Sequence, residues 1–129
     1  MSHPPVELSY VRLYADANGA SRFVDEQHQL ATSGATTGEA KLPVLKIDNV
    51  SGAAFVALRR DEVEDWHLAP RRQYLIVLRG EVEVTASSGE SRRFRPGNIL
   101  LVEDTHGKGH ITRSVGVEDH VVIAVPAPK

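Results

Sequence analysis

The chain of 129 residues carries a formal net charge of -2 and is 41% hydrophobic and 25% charged, the composition of one globular domain. The small net charge gives no support to a nucleic acid partner, and the absence of cysteine excludes disulfides and thiolate metal sites. The N-terminus lacks the pattern of a secretory signal, and no apolar run approaches the ~20 residues that span a bilayer. We therefore expect one cytoplasmic domain over residues 1–129 that binds neither nucleic acid nor membranes.

Short β-branched runs bounded by glycine, proline or asparagine recur along the chain, whereas apolar residues seldom recur at helical spacing. This pattern predicts an all-β fold, which closes most economically as a sandwich or barrel. The segment 31–41 is predicted to be a loop. In chain order, the predicted strands cover Val11–Tyr14, Ser21–Gln29, Val44–Ile47, Ala53–Leu58, Gln73–Leu78, Val82–Thr85, Ser91–Phe94, Ile99–Val102, Ile111–Val115 and Val121–Val125.

Strand alternation determines which side chains around the run DWHLAPRRQYLIVLRG share a face. If Gln73 points into the interior, Leu75 and Val77 do so as well. His67 has the same parity, provided that the strand continues through Pro70, where proline would interrupt the ladder. The interpretation is that His67 and Gln73 both face the inside of a small β-barrel.

A second stretch, DTHGKGHITR over residues 104–113, supplies two more imidazoles, His106 and His110. Gly107 and Gly109 give the backbone between these histidines room to turn sharply. The remaining histidines have no comparable context and are predicted to occupy surface or ordinary strand positions: His3, His28 and His120.

These residues resemble the motifs of the cupin superfamily, whose first motif reads G-x5-H-x-H-x3,4-E-x6-G. In this sequence His67 falls where the first histidine belongs, and Gln73 falls where the glutamate belongs. Gly80 closes the motif at the expected distance. The second histidine is missing, because Ala69 stands in its place.

The second cupin motif, G-x5-P-x-G-x2-H, is recognisable as Pro96 and Gly97 followed by an apolar run and a histidine-bearing turn. His110 comes later than the family pattern places it. The resemblance covers residues 50–126 or thereabouts and is closest to small single-domain cupins with a type-2-like conserved barrel. It implies a jelly-roll β-barrel, the double-stranded β-helix of cupins, with N-terminal strands within 6–48 available for a homodimer.

The resemblance further implies a divalent metal ion near one mouth of the barrel. Carried over to this chain, the ligands are His67, Gln73 and His110, with His106 as a further candidate. Two neutral imidazoles and an amide oxygen suit Fe, Ni, Mn, Zn or Cu and leave positions for water, substrate or dioxygen. Ala69 removes one ligand of the family set, which either weakens metal binding or opens a position for a substrate. The alternative is that these residues have structural roles. His67 and Gln73 would then form hydrogen bonds in the interior, and His106 would lie in an exposed loop.

The adjacent carboxylates Glu103 and Asp104 are candidates for general acid and base catalysis, and Tyr74 is a further catalytic candidate. Neighbours on a strand point to opposite faces, so at most one of the two carboxylates enters the cavity. The other is expected to pair with an arginine such as Arg113 or Arg72. The side chains expected to line the substrate pocket are Trp66, Ala69, Phe55, Leu75, Val77 and Leu101.

The leading hypothesis is a metal-dependent enzyme for a small molecule, of the dioxygenase, isomerase, lyase or cyclase type. The fold cannot choose among these reactions, because function depends on the pocket. The missing histidine favours a second hypothesis, a non-catalytic ligand-binding or sensing cupin with a degenerate metal site. A third hypothesis is a structural subunit that forms a homodimer through an exposed edge around Val11–Tyr14.

Overall fold

The structure, a computed structural model, describes residues 4–31, 43 and 45–128. This part of the chain is all-β, as the sequence predicts, and contains no helix. In the described ranges, no helix is long and apolar enough to cross a membrane. The strands are β1 (Val6–Ala15), β2 (Ser21–Leu30), β3 (Ala54–Leu58), β4 (Val63–His67), β5 (Gln73–Arg79), β6 (Glu81–Ala86), β7 (Ser91–Phe94), β8 (Ile99–Val102), β9 (His110–Val115) and β10 (His120–Pro126).

The strands form two sheets, one of six strands in the order β2-β1-β8-β5-β10-β3 and one of four strands in the order β4-β9-β6-β7. All neighbouring strands are antiparallel except β1 and β8, which are parallel. The two hydrogen-bonded ladders do not join into one closed barrel in the described part of the chain, so the expectation of a closed barrel is wrong. Closure fails at both sides, because β3 does not pair with β4 and β2 does not pair with β7.

The hydrophobic core lies between the two sheets and follows from strand alternation. On β6, Val82, Val84 and Ala86 are buried, while the residues between them are partly exposed. The rings of Phe23 on β2 and Phe94 on β7 lie 6.3 Å apart between centroids and join the two sheets at one side. Burying each such side chain stabilises the fold by about 1.5–3 kcal/mol.

Several predicted elements differ from the observed ones. Residues 45–47 are not a strand, and Val44 lies outside the described residues, as do positions 32–41 of the predicted loop. Strand β4 was not predicted, because acidic residues interrupt its apolar pattern. The proposed dimer edge around Val11–Tyr14 is wrong, because β1 pairs with β2 on one side and with β8 on the other.

The carboxylate of Glu103 connects three separate segments directly after β8. Arg12 Nε donates to Glu103 Oε1 at 2.7 Å, and Arg72 Nε donates to Glu103 Oε2 at 2.7 Å. Arg72 also donates to the backbone carbonyl of Ala127. Burial raises the pKa of Glu103, but the hydrogen bonds from Arg72 and Arg12 outweigh it and hold the pKa below its usual value. Glu103 thus ties β1, the segment before β5 and the C-terminal segment together.

We predict that Glu103→Gln lowers the free energy of unfolding by on the order of 2 kcal/mol at neutral pH, because two charge-assisted hydrogen bonds are lost. A carboxylate with a lowered folded-state pKa stabilises the fold fully above its unfolded pKa, about 4.5. This stabilisation disappears as the pH falls through the folded-state pKa. Urea unfolding measured at several pH values should therefore show the two proteins converging in acid.

The matched control is Glu118→Gln, which changes an exposed carboxylate in the loop before β10. Its free energy of unfolding should stay close to that of the parent protein at every pH. A difference between parent and Glu103→Gln that stays constant into acid would contradict the assigned ion pairs.

Candidate functional site

A cavity of about 820 Å³ opens between the sheets on the side of β3 and β4. Its volume is within the range of small-molecule binding sites, which are mostly apolar with a few polar groups. Apolar lining comes from four strands of the large sheet, with Val56 on β3, Leu75 on β5, Val102 on β8 and Val122 on β10. The polar lining includes His67, Gln73, His110 and His120.

His67 and His110 face each other across two neighbouring strands. His67 is the last residue of β4, His110 is the first residue of β9, and the two are paired in the antiparallel register. Directly opposed side chains on one face lie close together. The ring centroids are 4.3 Å apart, with an interplanar angle of 59°. The structure therefore brings together two histidines that are far apart in the sequence.

Hydrogen bonds to Nδ1 fix the tautomers of both imidazoles. His110 Nδ1 lies 2.5 Å from Asp104 Oδ2, and His67 Nδ1 lies 2.7 Å from the backbone oxygen of Asp65. These oxygens accept hydrogen bonds, so each Nδ1 carries a proton and each neutral ring keeps its lone pair on Nε2. This is the arrangement in which imidazoles bind metal ions through Nε2.

Glu64 adds negative charge beside the pair. Its Oε1 lies 3.2 Å from His67 Nε2, and its side chain is 57% exposed. A carboxylate at this distance stabilises positive charge on the imidazole side, whether a proton or a metal ion carries it. The opening of the site is therefore suited to a cation.

Asp104 contacts two segments of the site, the one that contains Ala69 and the one that contains His110. Its side chain is fully buried, and its backbone carbonyl accepts a hydrogen bond from Ala69 N–H at 3.1 Å. Its Oδ2 bonds His110, while Oδ1 has no hydrogen-bond partner among the residues that the structure describes. A buried carboxylate is costly without partners, so this residue fixes the position of His110 firmly.

Gly109 allows the backbone of β9 to approach that of β4. A Cβ at this position would lie 2.3 Å from the carbonyl oxygen of His67, far inside contact distance. Its φ of +76° is also a conformation that side chains disfavour. The close pairing of His67 and His110 therefore requires glycine at position 109.

Gln73 and Ala69 line the same cavity as the two histidines. The prediction that one strand continues from His67 through Pro70 to Gln73 was wrong. The strand β4 ends at His67, β5 begins at Gln73, and the two strands belong to different sheets with Pro70 in the connection. Both ends of the connection nevertheless face inward, so the residues still meet at one cavity.

Other candidates lie elsewhere. His106 is exposed in the turn before β9 and does not line the cavity, because the turn carries it out to the surface. Tyr74 packs edge-on against Tyr10 at 5.7 Å between ring centroids, outside the cavity. Glu103 is held by the two arginines described above, which include the predicted Arg72. Of the catalytic candidates, Asp104 touches the site, through His110.

Some of the residues expected to line the pocket do line the cavity, and others lie elsewhere. Leu75 lines the cavity, as Ala69 does. Phe55 and Trp66 are 76% and 51% exposed and lie outside the cavity lining, because each is the strand neighbour of a cavity-lining residue, Val56 or His67, and so points to the opposite face. Val77 and Leu101 are buried in the protein interior instead, at 3% and 1% exposure.

The sequence interpretation missed His120, which was expected at a surface or ordinary strand position. It is 6% exposed and lines the cavity. Strand parity contained the signal, because His120 shares its face with Val122 and Ala124, which are also buried. An imidazole in phase with the apolar face of a strand indicates an interior position.

The histidine and carboxylate side chains do not form a complete metal site by themselves. Among the residues that the structure describes, no group of three or more histidine, aspartate or glutamate side chains is placed to hold a metal ion. His67 and His110 supply two ligands. A third ligand from this chain therefore has to be of another kind, and the cavity-lining amide of Gln73 has the right chemistry.

Neither a protein-family model nor a curated protein matches this sequence. The resemblance to the cupins therefore depends on the motif residues themselves, His67, Gln73, Gly80 and the later His110. Three of these side chains line one cavity, and Gly80 lies beside it against the start of β10.

We predict that Gly109→Ala lowers the free energy of unfolding by on the order of 3 kcal/mol, because the new methyl group collides with the backbone of His67. The matched control is Gly116→Ala, which has a similar φ of +90° but open space around its Cβ. It should cost about 1 kcal/mol from backbone strain alone. Equal losses in denaturant unfolding of the two variants would show that the close approach at Gly109 is not a tight contact.

Proposed function

We propose that this chain is a small cupin whose cavity binds a divalent metal ion and a small molecule, and that it is a metal-dependent enzyme of the dioxygenase, isomerase, lyase or cyclase type. The metal ligands are His67, Gln73 and His110. The observation that carries the proposal is the pair of imidazoles 4.3 Å apart at a cavity of about 820 Å³, each with Nδ1 already bonded to an oxygen.

The strand order supports the fold part of this proposal. Successive strands from β3 to β6 alternate between the large and the small sheet, and so do β8, β9 and β10. Chain crossings between two packed antiparallel sheets are typical of jelly rolls. We therefore assign the two-sheet arrangement to the jelly roll of the cupin superfamily, opened at β3 and β4.

The donor set fits a divalent transition metal. The two imidazoles, each with Nδ1 already hydrogen-bonded, are donors of intermediate softness, and the amide oxygen is a harder donor; this mixed set suits Fe, Ni, Mn, Zn or Cu. When bound, such an ion supplies Lewis acidity or a site for dioxygen. The chain's own residues hold the rest: Asp104 orients His110, and the apolar walls exclude water from the bound molecule.

Ala69 keeps the ligand shell open. It lines the cavity in the place where cupins carry their second histidine, and its methyl group fills less of the cavity than an imidazole would. A substrate that binds the metal through two oxygens would use this space. An open coordination position distinguishes a catalytic site from a closed structural one.

A second candidate function is a ligand-binding module without a metal. The apolar lining and the small number of histidine and carboxylate ligands in the described part of the chain favour it. In this case His67 and His110 would act as hydrogen-bonding groups for the ligand. Metal binding separates the two candidates directly.

We predict that protein purified without a histidine tag binds one divalent metal ion per chain. His67→Ala and His110→Ala should each weaken the binding of added Ni²⁺ or Zn²⁺ at least about tenfold, because each removes a ligand. The measurements are elemental analysis and calorimetric titration. His106→Ala, in the exposed turn, is the matched control and should bind metal as the parent protein does.

If the parent protein binds none of these metals, the metal site is rejected and the ligand-binding module without a metal is the better assignment. Equal loss of metal in His106→Ala would instead mean that the ligands are misassigned. A folded Gln73→Ala variant with undiminished affinity would remove the amide from the ligand set.

We predict that Asp104→Asn weakens metal binding by about 10- to 100-fold. The amide can donate a hydrogen bond to Nδ1 of His110, which moves the ring proton to Nε2 and blocks the metal-binding nitrogen. Histidine ring ¹⁵N spectra should show this change of tautomer at His110. Unchanged affinity together with an unchanged tautomer would contradict the assigned role of Asp104.

A further inference from the structure

Arg71 is a cavity-lining cation that no acid of the structure compensates. It lies in the connection between β4 and β5, two residues before Gln73, and lines the cavity of about 820 Å³. Among the residues that the structure describes, no carboxylate forms an ion pair with its guanidinium. Arg71 is exposed, so a molecule that enters the cavity from solvent can reach it.

Most arginines of this chain are used differently. The adjacent Arg72 donates from Nε to Glu103 Oε2 at 2.7 Å. Two further arginines, Arg60 and Arg79, are exposed and unpaired within the described part of the chain, but they lie outside the cavity lining. The position of Arg71 in a cavity is therefore what distinguishes it from an ordinary surface cation. The other arginines that pair with an acid are Arg12, Arg22, Arg92, Arg93, Arg95 and Arg113.

The other charged side chains of the cavity lie near groups that compensate them. Arg59 shares a turn with Glu62, whose Oε1 accepts a hydrogen bond from the Arg59 backbone N–H at 2.7 Å. Glu64 Oε1 lies 3.2 Å from His67 Nε2. Both acids of the lining precede β4 or belong to it, whereas Arg71 follows this strand. The positive charge of Arg71 is therefore left for a bound molecule.

The walls of the cavity are largely apolar and belong to the large sheet, with Leu75 on β5, Val102 on β8 and Val122 on β10. These walls suit an organic body, because burying apolar surface is favourable. The planar guanidinium of Arg71 has the geometry to donate two parallel hydrogen bonds to a carboxylate. Apolar walls and one exposed arginine together suit a molecule that has a negative end and an apolar body.

We propose that Arg71 is a ligand-binding residue and that the small molecule of this cavity is an organic acid, whose carboxylate pairs with the Arg71 guanidinium. The inference rests on the proposed function in that the cavity is a small-molecule site, but it does not require a metal ion. Arg71 then selects the acid over a neutral molecule of the same shape. Because Arg71 is exposed, the selectivity is moderate and decreases with added salt.

The test compares benzoate with benzamide, which have nearly the same size and shape and differ in charge. The full chain is freed of metal with a chelator and dialysed, so that a carboxylate cannot bind through a metal ion. Titrations followed by ¹H–¹⁵N spectra give both affinities and also report the Nε–H groups of arginine. At low salt, benzoate should bind about three- to tenfold more tightly than benzamide. About 0.5 M sodium chloride should remove most of this difference and leave benzamide binding unchanged.

Variants test whether Arg71 is the group responsible. Arg71→Gln removes the charge and should lose most of the preference for benzoate, while its affinity for benzamide should stay that of the parent. Arg71→Lys keeps the charge but not the planar fork and should retain part of the preference. The matched controls are Arg60→Gln and Arg79→Gln, which each remove one exposed, unpaired arginine outside the cavity lining and should leave both affinities unchanged.

Equal affinities of the parent protein for benzoate and benzamide, or binding of neither, overturn the inference even if no variant folds. A preference for benzoate that persists in folded Arg71→Gln also overturns it, and so does an equal loss in the two control variants. An Arg71-dependent preference in protein that binds no metal would retain the organic acid as ligand while the metal centre is rejected. Metal binding without this preference would give the opposite result.

Discussion

The hydrogen bond between the buried carboxylate of Asp104 and His110 Nδ1 is the constraint on which the site depends. A carboxylate removed from water is tolerated only where a partner compensates it, so His110 is held in one place and one tautomer. The backbone carbonyl of the same residue accepts a hydrogen bond from Ala69. Asp104 therefore joins the segment after β4 to the turn before β9. The Nε2 lone pair of His110 is left as the group available for binding.

The cavity exists because side chains fill the space between the two sheets on one side but not on the other. On the side of β2 and β7, Phe23 and Phe94 fill the space between the sheets. On the side of β3 and β4, the space between the sheets is the cavity. Apolar packing on one side thus supplies the stability that allows the other side to remain open and to hold polar groups.

Much of this arrangement could be predicted from the sequence, because alternation and turn residues report local structure. The hairpin of β5 and β6 around Gly80 and the strands from β7 to β10 follow from such patterns. A sandwich was one of the two closures that the pattern predicts, but the strand order within each sheet could not be predicted, since it depends on which distant strands pair. Strand alternation predicted that His67 and Gln73 share the inner face of one continuous strand. In the structure, the chain passes from one sheet to the other between them. The glycine-rich turn indicated an exposed loop position for His106 but could not exclude a ligand role, because the direction of the turn depends on the rest of the fold.

The glycines of the motif act through contacts between backbones, and this explains why they accompany the histidines. Gly109 lies against the backbone of His67, and Gly80 lies against that of His120. In both cases a Cβ would push a histidine-bearing strand away from its neighbour, and the imidazole would move with it. A glycine near a cavity therefore carries information about a residue that is distant in sequence. Gly80, which at first only closes a motif, in this way indicates the interior position of His120.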